Sequence, residues 1–349
     1  MAHEKTETIH HDPEGRSDWS GPPKSSRLGR VCSKWWWLFF LLFVIIVLAV
    51  VLPIVYIAYP KIARRGSGDS TLQFTSLTIQ NATPDSVEMG FSQIFYSNTS
   101  TSQPTLYPFN ASFYMLDNDN NPPFASIQSP KIVKISNDTE TDVPPQLVNI
   151  THMDEFTRYL RLALASESYT IALRGNGGMS TGGMPKTGID YDKNITMNGF
   201  DGFTAFGILS FGVLDEAEAD RTNAIGEAAI VNPTIMTLGL GDVTFALSVN
   251  GTDIGVATLN NLVLTPGYQQ VEIRAVMDQP AVVGMVLALQ NPVLPIDFTG
   301  GSSTVDGQQI PYFTAMLKDI VLQNNIDVTK SVESSGLVDR WSLIEWNSR

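Results

Sequence analysis

DVTFALSVNGTDIGVATLNNLVLTPG, residues 242–267, carries the signal that decides the fold. Val243, Phe245, Leu247 and Val249 alternate with small or polar residues, the period of a strand with one face in a core. Asn250-Gly251 follows, a pair that suits a two-residue hairpin turn because both central residues need positive φ. Ile254, Val256 and Leu259 then resume the apolar pattern, and VEIRAVM alternates again from Val271 to Met277. Antiparallel β structure is the expectation.

The same reading extends in both directions. Upstream, LQFTSLTI (72–79), VEMGFSQIFYS (87–97) and NASFYMLD (110–117) read as strands separated by turn signals. THMDEFTRYLRLALAS (151–166) reads as a helix, with Phe156, Tyr159, Leu160, Ala163 and Leu164 at helical intervals and capping-box spacing between Thr151 and Asp154. SYTIALRG (168–175) predicts a strand that ends in the glycine-rich loop GNGGMSTGG (175–183), with another strand around ITMNGF. Downstream, AVVGMVLAL (281–289) would reach only about 14 Å as a helix, too short for a bilayer, and is expected to be a buried strand. Ile310, Phe313, Leu317 and Ile320 have helical spacing before a short strand. This helix-then-strand order echoes residues 151–174 and predicts two related units.

Residues 38–58, LFFLLFVIIVLAVVLPIVYIA, hold no charge, and at 1.5 Å per residue they make roughly 32 Å, enough to cross a hydrocarbon core. Trp35, Trp36 and Trp37 on one side and Tyr56 and Tyr59 on the other supply interfacial aromatic belts. The preceding 34 residues are too long for the start of a cleaved signal peptide. Flanking basic residues orient this helix weakly. Asn81, Asn98, Asn110, Asn137, Asn149, Asn194 and Asn250 all lie in N-x-S/T sequons, and none precedes the anchor. That distribution predicts a cytosolic N-terminus and a glycosylated C-terminal region in the lumen or outside the cell; the competing reading is a β domain rich in Asn and Thr at its turns. The chain carries a net charge of −13, and residues 61–349 hold sixteen Lys/Arg against thirty Asp/Glu. Such a surface repels phosphate backbones, so nucleic acid is excluded as a partner. Cys32 is the only cysteine, which excludes an intrachain disulfide and thiolate zinc sites. Its juxtamembrane position makes it a candidate for reversible acylation.

AAIVNPTIMTLGLGDVTFALSVNGTDIGVATLNNLVLTPG and LALQNPVLPIDFTG each carry Asn-Pro, at Asn232-Pro233 and Asn291-Pro292, read as strand ends. This pattern resembles the late-embryogenesis-abundant type 2, or water-stress and hypersensitive-response, domain, and the whole layout is similar to a fungal family of single-pass membrane proteins with lumenal domains of this type. Residues 70–200 depart from it, with Asn81-Ala82 where Asn-Pro would stand. The resemblance implies a mainly β fold: an N-terminal transmembrane helix, then two β-sandwich units of fibronectin/Ig-like type, each with one short helix. It also implies a vacuolar membrane and an apolar ligand. Residues 1–34 would be a disordered cytosolic tail, 35–59 the transmembrane helix, 60–70 a stalk, 71–200 and 201–330 the sandwich units, and 331–349 an extension. The Asn-Pro pairs are expected to be structural, proline removing a ladder donor and asparagine satisfying a neighbouring backbone group.

Catalytic, metal and cofactor sites are poorly supplied. His152 is the only histidine beyond the anchor, and it reads as a solvent-facing residue at a helix start. DNDNN (117–121) imitates a calcium loop, but Pro122 stands where glycine is required and Gln128 where the bidentate glutamate should be. GNGGMSTGG with PKT lacks the glycine before Lys186 that a phosphate loop needs. Asp190 with Asp192, and Asp215, Glu216 and Glu218, suit glycoside cleavage only if they share a cleft. The expectation, with the ligand class implied by the resemblance, is a non-catalytic membrane-anchored lumenal binding module that holds a lipid or other apolar ligand next to the bilayer; the alternative is a structural or interaction glycoprotein contacting other lumenal or cell-surface proteins, with the tail open to a cytosolic partner.

Overall fold

The Asn250-Gly251 turn forms as read: β11 (Met236–Val249) and β12 (Thr252–Leu264) pair antiparallel around it, with φ of 49° and 76° at the two turn residues. The computed structural model describes residues 28–59, 61, 71–96, 103–117, 121–136, 138–182 and 184–333. The chain divides between Ile54 and Val55.

Helix α1 (Leu28–Pro53) lies in the first unit, and five π-helical residues, Ile54–Ala58, follow it in the chain. The switch has a local cause. Pro53 has no N–H to donate, so the regular ladder is interrupted there and resumes with a wider turn. Residues Trp35–Ala58 are long and apolar enough to span a membrane. The helix starts at Leu28 rather than after residue 34, so the end of the expected tail is helical and Cys32 lies within the helix. Apart from Lys61, the expected stalk lies outside the described residues, as does the extension beyond Glu333.

The second unit is mainly β, in two sheets. Three strands of the first half, β1 (Thr71–Gln80), β2 (Ser86–Tyr96) and β6 (Thr139–Asn149), form one end of the larger sheet. The smaller sheet holds β3 (Thr105–Tyr107), β4 (Phe109–Met115), β5 (Ala125–Ser129), β7 (Ser168–Ser180) and β8 (Thr187–Asn198). Their apolar faces meet through aromatic rings: Phe74 stacks on Phe91 at 4.5 Å, and both meet Phe113 edge-on at 6.3 and 5.9 Å. Alternation along β4 and β8, buried then exposed, is the expected signature of one face in a core.

In the second half, β9 (Phe206–Val213), β10 (Ala224–Asn232), β13 (Gly267–Met277), β12, β11, β14 (Val293–Val305) and β16 (Val321–Asp327) follow one another across the larger sheet, with the two-residue β15 (Gln308–Gln309) paired to β14. That sheet curls so that β16, which branches from it through β14, approaches β9, where the Ile208 N–H donates to Asn324 Oδ1 at 3.2 Å. Leu77, Thr78 and Ile79 of β1 pair in parallel with Met236, Thr237 and Leu238 of β11, so one ladder runs through both halves. A second join lies between helices. Helix α2 (Met153–Ala165) packs on α4 (Pro311–Leu317), with α3 (Gln279–Leu289) before it in the second half and α5 (Val328–Glu333) after it. At that join Tyr312 is fully buried, meets Phe156 edge-on at 5.2 Å, and donates to the carbonyls of Thr83 at 2.8 Å and Ser86 at 3.1 Å.

Several expectations need correction. Residues 281–289 form α3, not a strand: the Asp278 side chain accepts from the Ala281 N–H at 3.0 Å, Pro280 occupies the first turn, and Gln290 closes the helix in the left-handed region. The second half therefore has three short helices rather than one. GNGGMSTGG is not all loop. Residues 175–180 continue β7, paired with β3 and β8 on its two edges, and a Cβ at Gly175 would lie 2.5 Å from the Asn110 carbonyl oxygen. The cap of α2 is His152, with no side-chain bond, in place of the expected Thr151–Asp154 box.

Removing the Tyr312 hydroxyl takes the buried donor from the Thr83 carbonyl, while the Ser86 carbonyl keeps the Thr83 N–H at 2.8 Å. Tyr312→Phe is expected to lower stability by about 1–3 kcal/mol and Tyr312→Ala by about 3–5 kcal/mol, read from denaturant midpoints of the full chain in detergent. An unchanged midpoint for Tyr312→Phe would refute the buried bond.

Candidate functional site

Among the described residues the second unit has a hollow of about 360 Å³ between Glu167, Asn198, Phe200 and Pro233, and two further surfaces whose chemistry suits a site. The first is the outer face of the smaller sheet. Strand alternation turns Asn110, Ser112 and Tyr114 of β4 outward, and the register sets Ser112 opposite Arg174 and Arg174 opposite Asp192. Together they line an open groove of about 550 Å³. The Arg174 guanidinium lies 5.5 Å from the Tyr114 ring centroid, and its Nε donates to Asp192 Oδ1 at 3.3 Å. Ser112 and Ser126 hydroxyls are 2.8 Å apart. Charge is thus balanced within the groove, which offers hydrogen-bonding groups and the rings of Tyr114 and Tyr191.

The second surface is apolar. Helix α3 holds no charged residue, and it covers one end of the curled sheet with Val282 and Val286 buried, while Leu287 is 56% and Leu289 45% exposed. Beneath it, Phe211, Met277, Val282, Ile296 and Val328 enclose an apolar cavity of about 20 Å³, the size of a water rather than of a ligand. Val256 and Val276, paired across β12 and β13, are exposed at 44% and 40%. The parallel pairing fixes where this end lies. β11 runs from Met236, beside Leu77, toward the Asn250-Gly251 turn, and α3 starts beside that turn, its Asp278 N–H donating to the Ile254 carbonyl at 2.9 Å. Thr71 lies beyond the opposite end of β11, about 50–60 Å away at 3.3 Å per residue.

Sequence-marked residues distribute over both halves. Asn81, Asn110, Asn149, Asn194 and Asn250 are exposed, whereas Asn98 and Asn137 lie outside the described residues. Asn232 is 1% exposed and bridges its turn: Oδ1 accepts from the Thr234 N–H at 2.9 Å and hydroxyl at 2.7 Å, and Nδ2 donates to the Met236 carbonyl at 2.8 Å. Pro233 follows the end of β10. Asn291 makes a smaller version of this turn, accepting from the Val293 N–H at 3.0 Å. Asn291-Pro292 follows α3 rather than a strand, a correction that comes from the capped helix before it.

The candidate acid groups are not gathered into one site. Asp190 and Asp192 are on β8, while Asp215, Glu216 and Glu218 lie in the turn between β9 and β10; of these Glu218 pairs with Arg274 on the larger sheet, which also meets Glu272 at 3.2 Å and Asp220 at 3.4 Å, neither of them a candidate from the sequence. The Thr222 backbone N–H, bonded to Asp220 at 2.9 Å, holds that carboxyl below its usual range. His152 Nδ1 sits 3.0 Å from the Thr151 hydroxyl and 3.2 Å from the Pro123 carbonyl. Asp117 pairs with Arg158; residues 118–120 of the calcium-like run lie outside the described residues. Lys186 lies over the Tyr107 ring at 4.7 Å. Among the described residues no group of three or more His, Cys, Asp or Glu is placed to hold a metal. Burial pushes the Tyr169 phenol up to about 12, so it stays neutral beside Tyr159 at 3.3 Å.

Residues 122–247 match a family model described as a protein of unknown function, DUF3712. No curated protein matches the chain. Among solved structures, it is similar to a glycosyl hydrolase family 2 member from Bacteroides cellulosilyticus at 10% identity, covering 40% of this chain and 15% of that one, with a TM-score of 0.19. Red sea bream transglutaminase matches at 12% identity over 72% of this chain and 31% of that one, with a TM-score of 0.21. The E. coli chaperone DraB matches at 9% identity over 74% and 98%, with a TM-score of 0.17. The chain spans 15% and 31% of the lengths of the first two, and at these scores the likenesses carry no argument.

Asn232 supplies the most specific test of the turn chemistry. Asn232→Ala orphans the Thr234 and Met236 groups and is expected to lower stability by about 1–3 kcal/mol. Asn291→Ala, in the exposed turn, is expected to cost under about 1 kcal/mol. Equal losses in thermal unfolding of the two variants would contradict this assignment.

Proposed function

We propose that the chain is a non-catalytic, membrane-anchored binding module that takes an apolar ligand, with lipid acyl chains as the class, at α3. One observation carries this reading: an uncharged apolar helix covers an apolar cavity and is held by two buried side chains. Lifting it exposes Val282 and Val286 at about 1.5–3 kcal/mol each, and an acyl chain burying about eight methylenes at roughly 0.8 kcal/mol each offsets that cost. The resting cavity then swells on binding. In this reading the span Trp35–Ala58 crosses the bilayer with the N-terminus cytosolic and the β structure lumenal or extracellular, and the exposure of the five described sequon asparagines supports glycosylation there. The vacuolar membrane is the location that the resemblance implies, and Cys32 is the acylation candidate.

A structural or interaction glycoprotein is the second reading. The resting cavity of about 20 Å³ and the polar outer face of the smaller sheet favour it.

Photoreactive fatty-acyl lipid, crosslinked to the full chain in cell membranes and mapped by mass spectrometry, separates the two. Label is expected in residues 278–290 as well as in the span, and the exposed-face double variant Leu287→Asp/Leu289→Asp should lose the former while keeping the latter. Label confined to the span would overturn the lipid reading.

A further inference from the structure

The smaller sheet's outer face carries more than the proposed function uses. Asn110 opens the sequon Asn110-Ala111-Ser112, and its side chain lines the same groove as Tyr114, Arg174 and Asp192. A second sequon asparagine, Asn194, is exposed on this face, opposite Ala172 and two residues from Asp192. We infer that the groove is a saccharide site, and that its occupant is the chain's own glycan at Asn110, folded back over Tyr114 and Arg174.

The chemistry fits sugar better than an anion or an apolar peptide. Arg174 is already paired with Asp192, which cancels the charge an anion would need. No large exposed aliphatic side chain lines the groove to anchor a peptide. A pyranose presents hydroxyls that both donate and accept, matching the amide of Asn176 and the hydroxyl of Ser112, and a C–H face that packs beside the Tyr114 ring. The volume, about 550 Å³, lies within the usual range of ligand sites. Tethering makes weak contacts sufficient. A short flexible link gives an effective concentration in the mM range, so a saccharide contact of mM affinity is already substantially occupied. The face would then be closed to protein partners, leaving the α3 end as the open apolar surface.

This inference rests on the lumenal reading of the C-terminal region. The test is the rate at which an endoglycosidase releases each glycan from the folded, full-length protein in detergent, followed site by site by mass spectrometry. Release at Asn110 is expected about tenfold slower than at Asn250, which stands on a hairpin tip, a ratio equivalent to about 1.4 kcal/mol of protection. Tyr114→Ala/Arg174→Ala should bring the two rates together, and Asn176→Ala, a single exposed change, should move Asn110 in the same direction. Asn110→Gln should leave the groove able to bind a soluble N-acetylglucosamine oligomer that the glycosylated protein excludes. Equal release at Asn110 and Asn250, or equal oligomer binding with and without the Asn110 glycan, would overturn the inference while leaving the lumenal reading intact. No glycan at any sequon would remove both.

Discussion

Tyr312 is the residue on which the second unit's integrity turns, because the two halves meet through few backbone bonds. The parallel contact between β1 and β11 is three residue pairs long, too short to hold two β layers in register alone. The buried phenol adds a ring on Phe156 and a hydroxyl on two carbonyls of the β1–β2 turn. Burial raises its pKa, with the negative charge of Asp85 a smaller contribution, so it remains a donor at all physiological pH. A buried polar tip on a large apolar ring is costly when mispaired, and that cost specifies one arrangement of the halves where apolar contact alone would tolerate several.

Local chemistry made much of the fold readable. The Asn250-Gly251 hairpin, the amphipathic helix from Phe156 to Leu164 and the strand after it all formed from patterns of side-chain period and turn residues. Residues 281–289 defeated the same method because a short Val- and Leu-rich run has no period to distinguish strand from helix. The deciding groups lay outside it, in Asp278, Pro280 and Gln290. The glycine-rich run failed differently: at Gly175 the β4 backbone and the Phe109 ring come too close for a Cβ, a tertiary fact with no local trace.

The sites were legible in pieces. The strand read over NASFYMLD formed and turns Asn110 outward, and the bridging role of Asn232 followed from amide chemistry beside proline. What stayed hidden was register. Nothing in NASFYM or SYTIALRG says that Ser112 stands across from Arg174, or Arg174 across from Asp192. Parallel pairing of β1 with β11 was equally invisible, since strands far apart in the chain are matched by the layers they cover and not by turns between them.

That pairing fixes a standoff. Because β1 and β11 point the same way and overlap only at their Leu77–Met236 ends, their lengths add like sections of a telescoping rod. Whatever meets the far tip therefore does so at a reach set by strand lengths, and trimming either strand would shorten that reach in steps of about 3.3 Å per residue without altering the chemistry of the tip.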